Sequence, residues 1–455
     1  MSAWQAVILA AGAGTRMRSA TPKVLHPVCG APLIQHVIAS LYNAGLERPI
    51  VVVPPDAETL RNYLGTNVDF AVQESPLGSG HALACAREVL GKDSDNILVI
   101  NADCPLVPPE GIQLLMRCHE ETKAELTLMT ADGADQDGYG RIIRDASGAF
   151  TAIVEEREAT PEQREIKEVN GGVYAFRTAS LWPNLATLKP SSNGEIYLTD
   201  MVACVHQSQG SIATVQAGDP HDVLGVNTRV DLANAEAVLR DRIREQHMLD
   251  GVTLIDPSTT YIDSGVVIGK DTVVYPNTHL QGTTQVGKGC RIGPNSLLKD
   301  SVLGAGCRVV SSMLEGATLD ADVDVGPFAH LRPGTHVGEK THIGNFVEVK
   351  ESTLGVGVKS GHFSYIGDAD VGDNVNIGAG TVIANFDGVT KHRTTIDENA
   401  FIGSDTTLVA PVRVGKGAAT GAGAVVTKDV DAGETVVGVP ARPKPKKSSK
   451  KPAQA

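Results

Sequence analysis

The chain has 455 residues, 42% hydrophobic but only 4% aromatic, with 40 Lys and Arg against 53 Asp and Glu and a formal net charge of -13. That length exceeds what one hydrophobic core usually serves, about 250 to 300 residues, so at least two domains are expected. The acidic balance excludes a generally basic nucleic-acid coat, and no run approaches the roughly 18 uninterrupted apolar residues of a membrane span.

The seven cysteines, Cys29, Cys85, Cys104, Cys118, Cys204, Cys290 and Cys307, are odd in number and contain no Cys-x-x-Cys pair. They read as reduced thiols of a cytoplasmic protein, with neither a disulfide framework nor a thiolate zinc site. The N-terminus has no basic residue ahead of its short apolar run, so secretion is not expected.

Up to about Asn227, short β-branched or aliphatic runs at 6–9, 49–53, 96–100, 126–129 and 172–176 alternate with longer helical patterns. Such alternation predicts a largely parallel sheet covered by helices. Over 228–249 the spacing changes: Leu232, Ala235, Leu239 and Ile243 recur at three and four residues among charged side chains, which predicts one amphipathic linker helix.

Beyond it an aliphatic residue returns every six positions. The clearest register is Val325, Leu331, Val337, Ile343, Val349; others run Val286, Ile292, Leu298, then Val371, Ile377, Ile383, then Ile396, Ile402, Leu408, Val414. This period marks a parallel β-helix, with about 18 residues per coil and roughly ten coils about 4.8 Å apart. The expected domains are therefore 1–227, a linker helix at 228–249, a β-helix at 250–441 and a basic disordered tail at 442–455.

Directly after the first strand comes Leu9-Ala10-Ala11-Gly12-Ala13-Gly14-Thr15-Arg16-Met17, with Pro22-Lys23 shortly after. Glycines here let backbone N–H groups approach a phosphate, which Arg16 and Lys23 can neutralise. The third Gly of a dinucleotide fingerprint is missing, and no Gly-Lys-Ser/Thr follows as in a P-loop.

The string resembles the signature of sugar-nucleotide pyrophosphorylases. Downstream lie Gln73, Leu77-Gly78-Ser79-Gly80-His81-Ala82, Asp103, Gly138-Tyr139-Gly140-Arg141, Val154-Glu155, Asn170-Gly171-Gly172 and Gly225-Val226-Asn227. Together with the hexad repeat, the chain resembles the bacterial bifunctional N-acetylglucosamine-1-phosphate uridyltransferases and glucosamine-1-phosphate N-acetyltransferases over nearly its whole length. The resemblance implies an α/β fold, a Rossmann-like nucleotidyltransferase domain followed by a linker helix and a left-handed hexapeptide-repeat β-helix. It implies a homotrimer without nucleic-acid or membrane partners.

By that resemblance, Leu9, Ala11, Gly12 and Gln73 hold the uracil nucleotide, Gly78, Ser79 and Asn101 lie along it, and Gly140, Glu155 and Asn170 grip the sugar. Asp103 and Asn227 are the expected Mg²⁺ ligands, consistent with an ion that takes few protein oxygens and completes its shell with phosphates and water. Arg16 and Lys23 are the expected catalytic cations on UTP. Asn101-Ala102-Asp103 stands where the family commonly has Tyr-Gly-Asp.

In the repeat region, polar residues interrupt the hexads. The resemblance makes His362 the general base, a task suited to an imidazole near neutral pH. It assigns Arg332 and Lys350 to the sugar phosphate of glucosamine 1-phosphate and Tyr365, Asn376 and Asn385 to the sugar and its amine. Ala379, Phe386, Ser404 and Ala422 fall at acetyl-CoA positions, and the N-acetylglucosamine 1-phosphate so formed is the acceptor in the first domain. Phe386 stands where the family often has Tyr, and Val439 where an Arg can reach the coenzyme, a charge that Arg442 or the tail is expected to supply.

His330, His336 and His342, six residues apart, are expected to point from different faces and to share no metal, and Asp320, Asp322 and Asp324 to form a solvated surface. Two rival readings remain: a nucleotidyltransferase whose β-helix only oligomerises or regulates, and a non-catalytic trimeric scaffold.

Overall fold

Strand Trp4–Leu9 buries Ala6 and Ile8 on one side and Val7 on the other, the pattern of a strand covered on both faces. In the computed structural model, which describes residues 3–91, 94–132, 138–146, 148–192 and 194–444, it sits inside a nine-stranded sheet. The sheet runs Ile212–Gln216, Leu126–Asp132, Glu168–Arg177, Asn96–Asn101, Trp4–Leu9, Ile50–Val53, Asp69–Val72, with Arg141–Arg144 and Phe150–Val154 as an added hairpin on Glu168–Arg177. Neighbours along the main path are parallel, except that Glu168–Arg177 runs antiparallel to both of its own. Helices such as Leu33–Asn43 and Pro109–Thr122 cover one face, and Ser79–Cys85 and Met201–Gln207 the other.

The five expected strands are present, and four more lack a periodic signal long enough to read. Asp69–Val72, for instance, has only Ala71 fully buried among its four residues.

Helix Arg229–Leu249 follows. By packing, the chain divides into two compact units, Met1–Leu239 and Arg240–Ala455, so the boundary falls inside this helix. Ala235 is buried and Glu236 accepts the Cys29 N–H at 2.6 Å within the first unit, whereas Ile243 packs on the core of the second.

The second unit is a three-sided parallel β-helix whose faces are sheets of 12, 10 and 9 short strands. The aliphatic hexads all point inward: Val325, Leu331, Val337, Ile343 and Val349 are fully buried. Coil length departs from the expected constant, because Val286 pairs with Leu303 and Leu303 with Leu319, coils one or two residues short, while Ile377 pairs with Ile402 across an insertion. Corners absorb those changes; the inward register does not. Some buried hydroxyls are satisfied by neighbouring coils, as where Thr272 and Thr341 donate to the carbonyls of Gly287 and Gly355 at 2.8 Å, whereas Ser360 Oγ and Thr394 Oγ1 have no hydrogen-bond partner among the described residues.

The expectation of disorder from 442 onward is corrected at its start: Arg442–Pro443 pairs antiparallel with Val436–Val437, closing the last coil. The remainder, 445–455, lies outside the described residues. No helix among the described residues is long and apolar enough to cross a membrane.

Leu331 stacks between Leu314 and Val349 at the centre of this core. Leu331→Ala is expected to cost about 2 to 5 kcal/mol in denaturant unfolding of the β-helix, from lost transfer energy plus the residual cavity.

Candidate active sites

The glycine-rich segment leaves the sheet at Leu9, where Ala10 N–H donates to Val52 O at 2.9 Å. Gly14 takes φ 59°, and a short helical turn at Thr15–Met17 follows, which buries Met17 and leaves Arg16 exposed, its Nη2 donating to Asn227 Oδ1 at 2.9 Å. Lys23 Nζ is ion-paired with Asp103 and donates to Asn227 Oδ1 at 3.1 Å. Asp103 follows the end of Asn96–Asn101, and its carbonyl accepts from Val226 N–H at 2.8 Å. Four residues drawn from 16 to 227 thus meet at one point.

Two clefts adjoin there. One, of about 380 Å³, is lined by Leu9, Ala11, Gly12, Lys23, Gln73, Gly78, Ser79, Asn101 and Asp103. The other, of about 470 Å³, is lined by Arg16, Ser79, Asn101, Asp103, Gly140, Glu155, Asn170 and Asn227. Every first-domain residue expected to bind substrate or metal or to act in catalysis lines one of them, and Ser79, Asn101 and Asp103 line both.

Their walls are pre-set. Gln73, 5% exposed, donates through Nε2 to Gly78 O at 3.0 Å. Gly78 has φ 99°, and a Cβ there would lie 2.5 Å from Ile196 O, so no other residue fits. In the second cleft Asn170 Nδ2 donates to Tyr174 OH at 2.6 Å, and Thr199 Oγ1 donates to Glu155 Oε1 at 2.9 Å.

Sequence reasoning left Thr199, Tyr174 and Tyr139 without a role. Tyr139 OH accepts from Gly225 N–H at 2.8 Å, tying the loop that carries Gly140 to the segment that carries Asn227; burial pushes its phenol up to about 12. Tyr139 lies in a quoted motif, whereas nothing near Thr199 marks it in the sequence.

The β-helix residues fall into two groups within one chain. At one end of a face, Arg332, Lys350, Tyr365 and Asn385 succeed one another on adjoining coils. Arg332 is ion-paired with Glu348 at 2.8 Å, and Tyr365 OH lies 3.3 Å from Asn385 Nδ2. Sequence reasoning missed Glu348 and Lys391, the latter in the insertion, where Phe386 and Lys391 form an isolated bridge; Lys350 beside it holds the Lys391 ammonium below its ordinary range.

The second group, His362, Ala379, Ser404 and Ala422, occupies one corner of successive coils. There Gly380 N–H donates to Phe363 O, Asp405 N–H to Ala379 O at 2.7 Å and Gly423 N–H to Ser404 O at 2.8 Å. Asn376 lies on the face before that corner, beside Lys359 and Phe401, apart from Tyr365 and Asn385. Phe386 is 58% exposed.

His330, His336 and His342 stand on three different sheets, each against one carboxylate, Glu315, Asp320 and Asp324. Asp320 and Asp324 are therefore paired rather than merely solvated. No group of three or more metal-ligating side chains occurs among the described residues.

Fold and clefts define a two-unit transferase, a nucleotide-binding α/β domain followed by a hexapeptide-repeat domain. The family model described as a MobA-like NTP transferase domain matches residues 6–226, bacterial transferase hexapeptide (six repeats) matches 265–300, and hexapeptide repeat of succinyl-transferase matches 393–428. Three curated relatives bear the name bifunctional protein GlmU. That of Heliobacterium modesticaldum is 46% identical over 95% of this chain and 94% of its own. That of Geobacillus sp. strain WCH70 is 46% identical over 93% of each chain, and that of Streptomyces avermitilis 45% identical over 95% and 91%. The chain belongs to the bifunctional GlmU family, a nucleotidyltransferase and acetyltransferase in one polypeptide, and its second unit is the left-handed β-helix of hexapeptide-repeat proteins.

Burial pushes the Glu155 carboxyl above its ordinary range, against the Thr199 hydrogen bond and with Asp200, Glu158 and Glu195 adding to the rise. The protonated form is favoured in the fold, so its contribution to stability is full below the unfolded value of about 4.3 and is lost as pH rises through the folded one. Glu155→Gln, which stays neutral and keeps an acceptor for Thr199, is expected to melt with the parent near pH 4 and above it at pH 8. Equal melting temperatures at both pH values would count against this origin of the shift.

Proposed function

We propose that the second unit acetylates glucosamine 1-phosphate with acetyl-CoA and that the first couples the product, N-acetylglucosamine 1-phosphate, to UTP, releasing pyrophosphate and UDP-N-acetylglucosamine. The observation that carries the reading is the junction of two clefts at Ser79, Asn101 and Asp103, with Arg16, Lys23 and Asn227 converging on it. Uridyl occupies the cleft of Leu9, Ala11, Gly12, Gln73 and Gly78; the sugar occupies that of Gly140, Glu155 and Asn170. The phosphates of both substrates meet between them.

A sugar-phosphate oxygen then attacks the α-phosphorus of UTP and pyrophosphate leaves, a displacement that needs alignment and charge neutralisation rather than a protein nucleophile. Arg16 and Lys23 supply positive charge to the phosphates. Asp103 and Asn227 are the residues that would hold Mg²⁺. Their side-chain oxygens already converge on one cationic group, the Lys23 ammonium, which supports their fit to a metal ion. When bound, Mg²⁺ supplies charge neutralisation at the phosphates.

In acetyl transfer, His362 accepts the proton lost by the sugar amine as nitrogen attacks the thioester carbonyl and coenzyme A departs. Arg332 and Lys350 hold the sugar phosphate, Tyr365, Asn376 and Asn385 the sugar, and Ala379, Phe386, Ser404 and Ala422 line the coenzyme. Because these residues divide between the two ends of one face, with Asn376 on the face before it, in a single chain, we place the complete site between copies in a homotrimer. The setting is cytoplasmic synthesis of cell-envelope precursors.

With purified protein, Asp103→Ala is expected to abolish most pyrophosphate release while leaving coenzyme A release near normal. His362→Ala is expected to lower acetyl transfer by a factor on the order of 10² to 10⁴ and spare uridyl transfer. Parent protein that releases pyrophosphate from N-acetylglucosamine 1-phosphate and UTP, yet no coenzyme A from glucosamine 1-phosphate, would favour the single-activity rival. Sedimentation at assay concentration is expected to give a trimer; active monomer would overturn the placement of the acetyl site.

A further inference from the structure

Asn385, 6% exposed, stands in the insertion that follows strand Val382–Ala384. Its amide nitrogen has two hydrogens and both are engaged: Nδ2 donates to Asp368 Oδ2 at 2.5 Å and to Tyr365 OH at 3.3 Å. An Asn amide can ordinarily be turned end for end without visible change, but a carboxylate only accepts. The contact with Asp368 therefore admits one orientation, with nitrogen toward the carboxylate and Oδ1 left for a ligand.

Asp368 is itself fixed. It takes φ 52° at the corner after strand Ser364–Gly367, donates its N–H to Lys350 O and accepts from Thr394 N–H, both at 3.0 Å. Gly367 beside it leaves room for the pair: a Cβ there would lie 2.8 Å from Asn385 Nδ2.

We infer that Asp368 is a positioning residue for acetyl transfer, which locks Asn385 so that Oδ1 accepts an N–H of the substrate's primary amine. This rests on the acetyl-transfer reading above. The orientation matters because an amine attacks through its lone pair. An acceptor that holds one N–H turns the lone pair toward the electrophile, whereas a flipped amide would present an N–H that hydrogen-bonds to the lone pair and blocks attack.

Replacement Asp368→Asn keeps the shape and removes the lock, since an amide in that place can donate or accept. Its kcat for acetyl transfer to glucosamine 1-phosphate is expected to fall by a factor on the order of 10², the KM for acetyl-CoA staying within about twofold and uridyl transfer at the parental rate. Asp368→Glu retains an obligate acceptor and is expected to stand between parent and Asp368→Asn.

The double variant Asp368→Asn with Asn385→Asp restores a donor facing a carboxylate, whose second oxygen again faces the amine. It is expected to recover acetyl transfer by at least about tenfold over either single variant, which a loss of packing would not do. Parental kcat in Asp368→Asn, an Asp368→Glu variant no better than Asp368→Asn, or a double variant no better than the singles would each overturn the inference. Parent protein without acetyl transfer would instead overturn the reading of the site, a result obtained before any variant is made.

Discussion

The second unit is governed by one constraint: each coil hydrogen-bonds through its backbone to the coil before and the coil after, about 4.8 Å away. Side chains on the inside must then stack on like neighbours, as Leu314, Leu331 and Val349 do. At the corners the chain approaches itself more closely still; a Cβ on Gly287 would lie 2.6 Å from the Gly304 carbonyl carbon, and one on Gly304 2.7 Å from Ala321 N. Such a scaffold leaves chemistry only to outward positions, corners and insertions. The acetyl-transfer candidates occupy these three kinds of place: Lys350 and Tyr365 outward on strands, His362 and Ser404 at a corner, Asn385 and Lys391 in the insertion.

The first unit reaches precision by a different route. Parallel neighbours Trp4–Leu9, Ile50–Val53 and Asn96–Asn101 end at the same edge of the sheet, so the segments leaving them meet there. Arg16, Lys23, Asp103 and Asn227 are brought together in that way across more than 200 residues of sequence. Arg141, 2% exposed, performs the structural counterpart beside the second cleft: its guanidinium is ion-paired with Glu156 at 2.8 Å and donates to the carbonyls of Tyr139 and Arg164. One buried cation thereby ties together the hairpin and the loop that bear Gly140 and Glu155, at a desolvation cost that only full pairing offsets.

Both units hold an ionisable group that its surroundings disfavour in the charged form, through burial in the first and through a like charge in the second. Glu155 is kept from water beside other carboxylates, and Lys391 stands next to Lys350. Neither arrangement helps the fold. Glu155 thereby presents an acceptor already stripped of part of its solvent, whereas Lys391 is an exposed cation disfavoured by the charge of its neighbour.

What the sequence determined by itself was whatever repeats or lies contiguous. The six-residue period predicts the inward residues of the β-helix because every coil meets the same environment. The string from Leu9 to Met17 with Lys23 predicts a phosphate-binding turn because its chemistry is local. Strands with weak alternation, such as Asp69–Val72 and Ile212–Gln216, were not legible, since half-buried residues carry no period. Changes of coil length at 286–319 were hidden as well, because a corner can lose a residue without disturbing the inward register. Only the tertiary structure decided which polar side chains face one another: Thr199 with Glu155, Tyr139 with Gly225, Asp368 with Asn385. Those pairs are separated by 17 to 86 residues, and a hydrogen bond between them depends on where two backbones come to rest, which no local pattern in either segment encodes.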